Sequence, residues 1–375
     1  MSREYNRRKF LRSGALAGTA LLAGCAGGDG GDGGDGGSGG GETTTTTTSG
    51  GGETTTTTSG GGETTTTTSG GGETTTTTTT SGGVETPTVA LSIPSLEFTF
   101  FARMENAFNQ AKDNGLISED SSFYDAQNTQ SKQVSDVETA ITNEVDFLMI
   151  SAITAEGVIN AVKKANDAGI PVVAIDRNVA EGDTVTYVAS DNVSLGMRST
   201  ELCLTFMQDK AQQDTYNVVQ LEGTPGASVT NDRGEGFSNA VGENEALKRL
   251  ASQTGEFSTQ EALSTMEDFI TQYGDQIDGV FCQNDLMALG VDQALKNANM
   301  SVPVTGIDGT EAWVRKFSNN QYYGTIAQLP EEMVNTAIEK GTAHLNGDSL
   351  EDYYKIDGLK VTDENASDYL GEYFG

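Results

Sequence analysis

Short apolar runs alternate with stretches of helical periodicity between Val89 and Ala327, and this restricts the architecture more than any other feature of the chain. Val89–Ile93, Val145–Ile150, Val172–Ile175, Tyr216–Leu221, Val280–Cys282, Val304–Ile307 and Thr325–Ala327 read as strands. Phe101–Lys112 reads as the helix after the first strand, and Val158, Val162, Ala165 and Ala168 share one face of another. Strands separated by amphipathic helices build parallel βαβ units and doubly wound sheets. A strand count of about ten suits two sheets of about five better than one large sheet. The expected fold class is therefore α/β, with two Rossmann-like lobes, each on a parallel sheet.

The first 86 residues have a different composition. Asn6-Arg7-Arg8-Lys9-Phe10-Leu11-Arg12 is a twin-arginine pattern, followed by an apolar run from Ala15 to Ala23 and by Leu22-Ala23-Gly24-Cys25. That run is too short to span a bilayer as a mature helix and reads as a signal peptide over residues 1–25. The small residues before Cys25 suit a lipoprotein peptidase, and two acyl chains on Cys25 suffice for stable anchoring. The expected location is the outer face of the cell membrane, reached by the twin-arginine route with the globular part already folded.

Residues 26–86 are a Gly/Asp and Gly/Thr tract that from Ser38 repeats Ser-Gly-Gly-Gly-Glu followed by threonines, restarting at Ser49, Ser59 and Ser69. A ten-residue period could indicate a solenoid, but these repeats hold no apolar residue to stack into a core. A flexible coil is expected, spanning roughly 40–50 Å for about 60 such residues. Threonine runs of this kind also suit O-linked glycans.

The remaining residues are enough for two lobes with real cores. The chain carries 54 acidic and 22 basic residues, for a formal charge of −32. Nine of the acids and five of the bases precede residue 87, which leaves the globular part at −28. So negative a surface opposes nucleic-acid binding. It also strains the compact state at low ionic strength, a strain that salt near 1 M screens to a length of about 3 Å. Adaptation to high salt follows, as in a halophilic archaeon. Besides Cys25, the cysteines are Cys203 and Cys282, both in apolar runs and expected as buried thiols, with a disulfide left open. The single histidine, His344, gives little support to zinc catalysis or a histidine-based triad. No phosphate-binding loop of the Gly-x4-Gly-Lys-Ser/Thr type appears, and neither a metal nor a cofactor is expected. The triplets beginning at Asn192, Asn299 and Asn365 fit the N-glycosylation pattern.

The informative residues follow the strands, because ligands of open α/β sheets bind beyond the carboxyl ends of the strands. Phe100 and Phe101 follow the first strand, Asp176-Arg177 the third, and Asn284-Asp285, Asp308 and Gln328 the last three. Arg233 and Phe257 fall in the loops and helices between. Planar amides, carboxylates and guanidinium forks reach sugar hydroxyls, while aromatic faces cover sugar C–H surfaces. Taken singly, these residues have plainer readings. Phe100 and Phe101 suit core, Asp176-Arg177 a strand-end ion pair, Arg233 a solvated helix start, and Asp285 a helix N-cap.

Six stretches in order carry a resemblance: Ile170–Arg177, Ala189–Asn192, Asp232–Phe237, Gln283–Gly290, Gly306–Thr310 and Thr325–Pro330. Residues 88–375 resemble the ribose-type periplasmic sugar-binding proteins over essentially the whole globular part. The resemblance implies sugar held in a cleft between two lobes joined by three crossings, near Ser190-Asp191, Gln328-Leu329 and Asp357-Gly358. The N-terminal lobe would take residues 87–190 and 329–357, and the C-terminal lobe 191–328 and 358–375. Phe100, Phe101 and Phe257 would stack on the sugar, with Asp176, Arg177, Arg233, Asn284, Asp308 and Gln328 binding its hydroxyls. Where the ribose-type pattern has Asn-Pro, this chain has Phe98-Thr99. Phe98 exchanges a polar contact for apolar bulk, which leaves a hexose, another pentose or a deoxy sugar as open as ribose.

The function implied is capture of a monosaccharide by a monomeric lipoprotein that delivers it to the permease and ATPase subunits of an ABC-type importer. A sensor presenting its closed form to a chemoreceptor is the alternative. A carbohydrate-active enzyme would need Asp176 and Asp308 to flank a scissile bond as acid and base, and no enzyme is expected.

Overall fold

The computed structural model describes residue 84, residues 86–318 and residues 320–375, together with the backbone of four strands nearer the N-terminus. The twin-arginine segment and Cys25 lie outside the described residues. The chain divides into two units, Met1–Thr80 and Ser81–Gly375.

In the first unit the structure departs from the expected coil. Strands β1 (Thr43–Thr48), β2 (Gly52–Ser59), β3 (Glu63–Ser69) and β4 (Thr76–Thr79) pair antiparallel in sequence order. A coil is expected where repeats hold no apolar residue and glycine lowers any ordered preference. Threonine is β-branched and favours extended backbone, and the repeat places the threonine runs opposite one another.

The second unit holds two six-stranded sheets, each one strand larger than expected. One runs β15-β9-β8-β7-β5-β6 and is parallel throughout, with β5 (Val89–Ile93), β6 (Ser122–Asp125), β7 (Phe147–Ile150), β8 (Val172–Ile175), β9 (Thr186–Ser190) and β15 (Tyr353–Ile356). The other runs β11-β10-β12-β13-β14-β16, with β10 (Tyr216–Glu222), β11 (Leu247–Thr254), β12 (Gly279–Cys282), β13 (Val304–Asp308), β14 (Tyr323–Ala327) and β16 (Leu359–Thr362). Its last strand, β16, is antiparallel to β14. The inner strands β5, β7, β8, β12, β13 and β14 are buried at every position, because helices cover both faces.

Around the first sheet lie α1 (Thr99–Asp113) and α9 (Pro330–Leu345) on one face, and α2 (Gln130–Thr142) and α3 (Ile159–Asp167) on the other. Val158, Val162 and Ala165 are buried as the periodicity predicts, but Ala168 lies past the end of α3 and is exposed. The second sheet is sandwiched between α4 (Asn192–Lys210) with α5 (Ser228–Glu243) and the group α6 (Thr259–Tyr273), α7 (Asp285–Asn297), α8 (Glu311–Phe317) and α10 (Ala366–Phe374). The chain passes between the sheets from β9 to α4, from β14 to α9, and from β15 to β16. Cys203 and Cys282 are buried free thiols. Asn192 is buried, so its triplet offers no accessible amide, whereas Asn299 and Asn365 are exposed. Among the described residues no helix is long and apolar enough to cross a membrane, and no group of His, Cys, Asp or Glu could hold a metal.

Candidate ligand-binding cleft

The carboxyl ends of both sheets face one cavity. It is lined by Phe98, Phe100, Phe101, Asp176, Arg177, Val229, Arg233, Phe257, Asn284, Asp308 and Gln328. All ten residues selected from the sequence are therefore brought together, and Val229 joins them. Phe100 and Phe101 serve both readings: they belong to the core of the first lobe and also line the cavity.

Backbone geometry aims several of these side chains. Asp176, Phe257 and Asp308 have positive φ of 58°, 57° and 119°, a region that non-glycine residues occupy at a cost of order 1–3 kcal/mol. Asp176 is held by its N–H donating to Val188 O at 2.9 Å and by Tyr187 Oη donating to its carbonyl at 2.6 Å. Phe257 is the second central residue of a tight turn from Gly255 to Ser258, closed by Ser258 N–H donating to Gly255 O at 2.8 Å. Its ring lies so close to Gly223 that a Cβ there would come within 2.0 Å of it. Asp308 ends β13, and Gln328 N–H donates to its carbonyl at 3.1 Å.

Two carboxylates and two guanidiniums balance within the cavity. Asp176 Oδ2 accepts from Ser151 Oγ at 3.2 Å and stands 3.9 Å from Arg177 Nε, too far for a direct hydrogen bond. The Arg177 guanidinium lies 5.8, 5.5 and 5.3 Å from the ring centres of Phe98, Phe101 and Phe257. Arg177 Nη1 donates to Ile153 O at 3.3 Å. Arg233, far from a solvated helix start, is buried, and its Nε donates to Asn192 Oδ1 at 2.9 Å. Its Nη1 donates to Gln283 O at 2.7 Å, and its Nη2 stands 3.8 Å from Asp308. Asp308 also accepts from Gln328 Nε2 at 2.9 Å.

Burial dominates the protonation of these groups. It raises the Asp308 carboxyl to about 6, against the opposing pull of Arg233 and the Gln328 amide. Burial likewise raises Asp176, opposed by Arg177, Arg233 and the Ser151 hydroxyl. It lowers Arg177 to about 10, opposed chiefly by Asp176. Two buried polar atoms of the lining, Arg177 Nε and Gln328 Oε1, have no hydrogen-bond partner among the described residues.

One local reading needs correction. The N-cap of α7 is Asn284, whose Oδ1 accepts from Met287 N–H at 3.0 Å. Asp285 is instead the first helical residue, and its buried carboxylate accepts from Thr310 N–H and Thr325 Oγ1, both at 2.7 Å. Asn192, which positions Arg233, reads from the sequence as part of a crossing and as a glycosylation triplet but not as a site residue, and Val229 is a lone valine with no sequence signal of its own.

A cavity at the facing strand ends of two α/β lobes, with three chain crossings beside it, defines a two-lobed solute-binding fold. Residues 89–349 match the family described as periplasmic binding protein domain, and the chain belongs to that family. A ribose import binding protein of Bacillus subtilis is 35% identical over 265 residues, covering 70% of this chain and 83% of the relative. Its counterpart in Haemophilus influenzae is 32% identical over 277 residues, covering 74% and 91%. Among solved structures, the binding protein of the arabinose ABC transporter from Shewanella sp. ANA-3, bound to L-arabinofuranose, superposes with a TM-score of 0.70. It is 27% identical and covers 76% of this chain and 95% of its own.

Proposed function

We propose that the chain captures a neutral monosaccharide between its two lobes and delivers it to the permease of an ABC-type importer, acting as a binding protein and not as an enzyme. The observation that carries this reading is the chemistry of the cavity wall. Opposite charges balance there, so the wall favours a neutral ligand. Buried polar atoms are almost always paired, and here Arg177 Nε needs an acceptor while Gln328 Oε1 needs a donor. A sugar hydroxyl is both. Aromatic rings cover the remaining walls, as the C–H faces of a sugar require. A few charge-assisted hydrogen bonds of roughly 1.5–3 kcal/mol each bring micromolar affinity, about −8 kcal/mol, within reach.

The relatives named above are binding proteins of sugar import systems, which supports a pentose or hexose ligand and a permease with its ATPase as partners. The N-terminal pattern supports a lipid anchor on Cys25 after twin-arginine export, with a monomer tethered at the outer membrane face. In that arrangement the anchor keeps the captor at high local concentration near its transporter. Calorimetry with a panel of pentoses and hexoses in multimolar salt tests the reading. Micromolar binding without turnover is expected, and product formation would move the protein to the enzyme class. Arg177→Ala and Asp308→Ala should each abolish binding while the far-ultraviolet circular dichroism stays unchanged; affinity retained in both would sink the site assignment.

A further inference from the structure

Phe98 occupies an N-cap position without acting as a cap. It precedes α1 in extended conformation, φ −84° and ψ 108°, and no side chain caps that end. Polar residues are strongly preferred at such positions and stabilise the helix by bonding its free N–H groups. Phenylalanine forgoes that stabilisation, and its ring enters the cleft instead. Its centroid lies 6.2 Å from Phe101 and 6.4 Å from Phe257, the second at an edge-on 76°. Phe101 belongs to one lobe and Phe257 to the other, and Phe98 packs against the cores of both. The three rings therefore form an apolar corner that neither lobe makes alone.

The polar neighbours of that corner are Arg177 and, 5.8 Å from the ring centre of Phe257, Arg233, and a guanidinium can only donate. A ligand hydroxyl placed in the corner could accept from Arg177, but its own proton would meet three ring surfaces. A buried donor without an acceptor is penalised, whereas a C–H or methyl group in the same place gains from removal of apolar surface from water. Of the acceptors in the lining, Asp176 accepts from Ser151 Oγ, Asn284 Oδ1 accepts from Met287 N–H, and Asp308 accepts from Gln328 Nε2 and stands beside Arg233; the unpartnered Gln328 Oε1 is held next to Asp308 by that same amide, in the polar wall.

Resting on the sugar-binding reading, we propose that the ligand is a deoxy sugar, which sets a carbon bearing no hydroxyl into the corner of Phe98, Phe101 and Phe257. Phe98 is then the residue that reads the missing hydroxyl.

Matched pairs of sugars test this with the full chain in multimolar sodium chloride. Calorimetry would compare D-ribose with 2-deoxy-D-ribose and with 5-deoxy-D-ribose, D-galactose with D-fucose, and L-mannose with L-rhamnose. In at least one pair the deoxy member should bind tenfold or more tightly than its parent, equivalent to about 1.4 kcal/mol. Phe98→Asn, which supplies an acceptor, should cut that ratio to within about threefold or reverse it. Phe98→Leu, which keeps the corner apolar, should retain it. The proposal is overturned if every parent sugar binds at least as tightly as its deoxy counterpart, or if the preference survives Phe98→Asn unchanged. Failure of every sugar to bind would overturn the sugar-binding reading itself, a distinct result from binding without deoxy preference.

Discussion

Asp308 shows how one buried carboxylate gives stability and binding opposite responses to pH. Burial raises it to about 6 in the folded chain, against about 3.9 for an unperturbed aspartate. Between those values the native state holds more protons than the unfolded state, so this group's contribution to stability falls as pH rises through about 6. The groups facing it are Arg233, Gln328, Asp176, Arg177 and Asp285. A ligand hydroxyl donating to the carboxylate favours its ionised form, so affinity should rise across the same window. Calorimetric affinity and melting temperature measured from pH 4 to pH 7 should move in opposite directions. Asp308→Asn should flatten the change in melting temperature relative to the parent chain; an unchanged profile would remove Asp308 as its source. At this scale much of the site was legible, because Asp176, Asn284, Asp308 and Gln328 stand at strand ends, where topology sends a ligand. The supporting residues were not. Tyr187 holds the Asp176 carbonyl, and Asn192 holds Arg233. Neither contact has a spacing that a linear sequence displays.

Elements divide in the same way. Inner strands such as β8 and β12 were readable because burial on both faces makes them continuous apolar runs. In the two larger sheets the strands that escaped the sequence reading, β6, β9, β11, β15 and β16, lie at or next to sheet edges, and several carry exposed residues, as in Leu247–Thr254 and Leu359–Thr362. Half-exposed strands mix polar and apolar residues, so their pattern resembles loop. The placement of Arg233 depends on a pair of helices in the same manner. α4 and α5 cross so closely that a Cβ on Gly196 would come within 2.3 Å of Arg233 O. Gly196→Ala should therefore push α5 outward and shift the guanidinium away from Asp308. Overpacking of this kind costs about 1–3 kcal/mol. A lower melting temperature together with weaker sugar binding is expected. Full affinity in a destabilised Gly196→Ala protein would show that Arg233 does not depend on this crossing.

Across the whole globular part, charge sets the conditions under which the lobes can meet. They touch through Ala155 N–H donating to Gly226 O at 3.0 Å, through Asn178 N–H donating to Ser228 Oγ at 2.8 Å, through the rings of Phe98 and Phe257, and through Arg177 over Phe257 and Arg103 over Phe374. These contacts act against like charge. From residue 87 onward, 45 acids face 17 bases, so even if every base took one acid, at least 28 acids would lack a basic partner. Several bases are already engaged, among them Arg103 with Glu331 at 2.7 Å and Lys316 with Asp292 at 3.0 Å. Repulsion among the unpaired carboxylates raises the free energy of every compact state, and most of all of the form that brings both lobes together. At 0.1 M salt the screening length is about 10 Å, comparable to the spacing of surface charges, and near 1 M it is about 3 Å. Melting temperature should therefore rise steeply as sodium chloride increases from 0.1 M to multimolar concentration, with potassium chloride acting alike because the effect is screening. Small-angle scattering at fixed sugar concentration should show the radius of gyration shrinking over the same range. A melting temperature that stays flat or falls with salt would mean that carboxylate repulsion does not limit this fold.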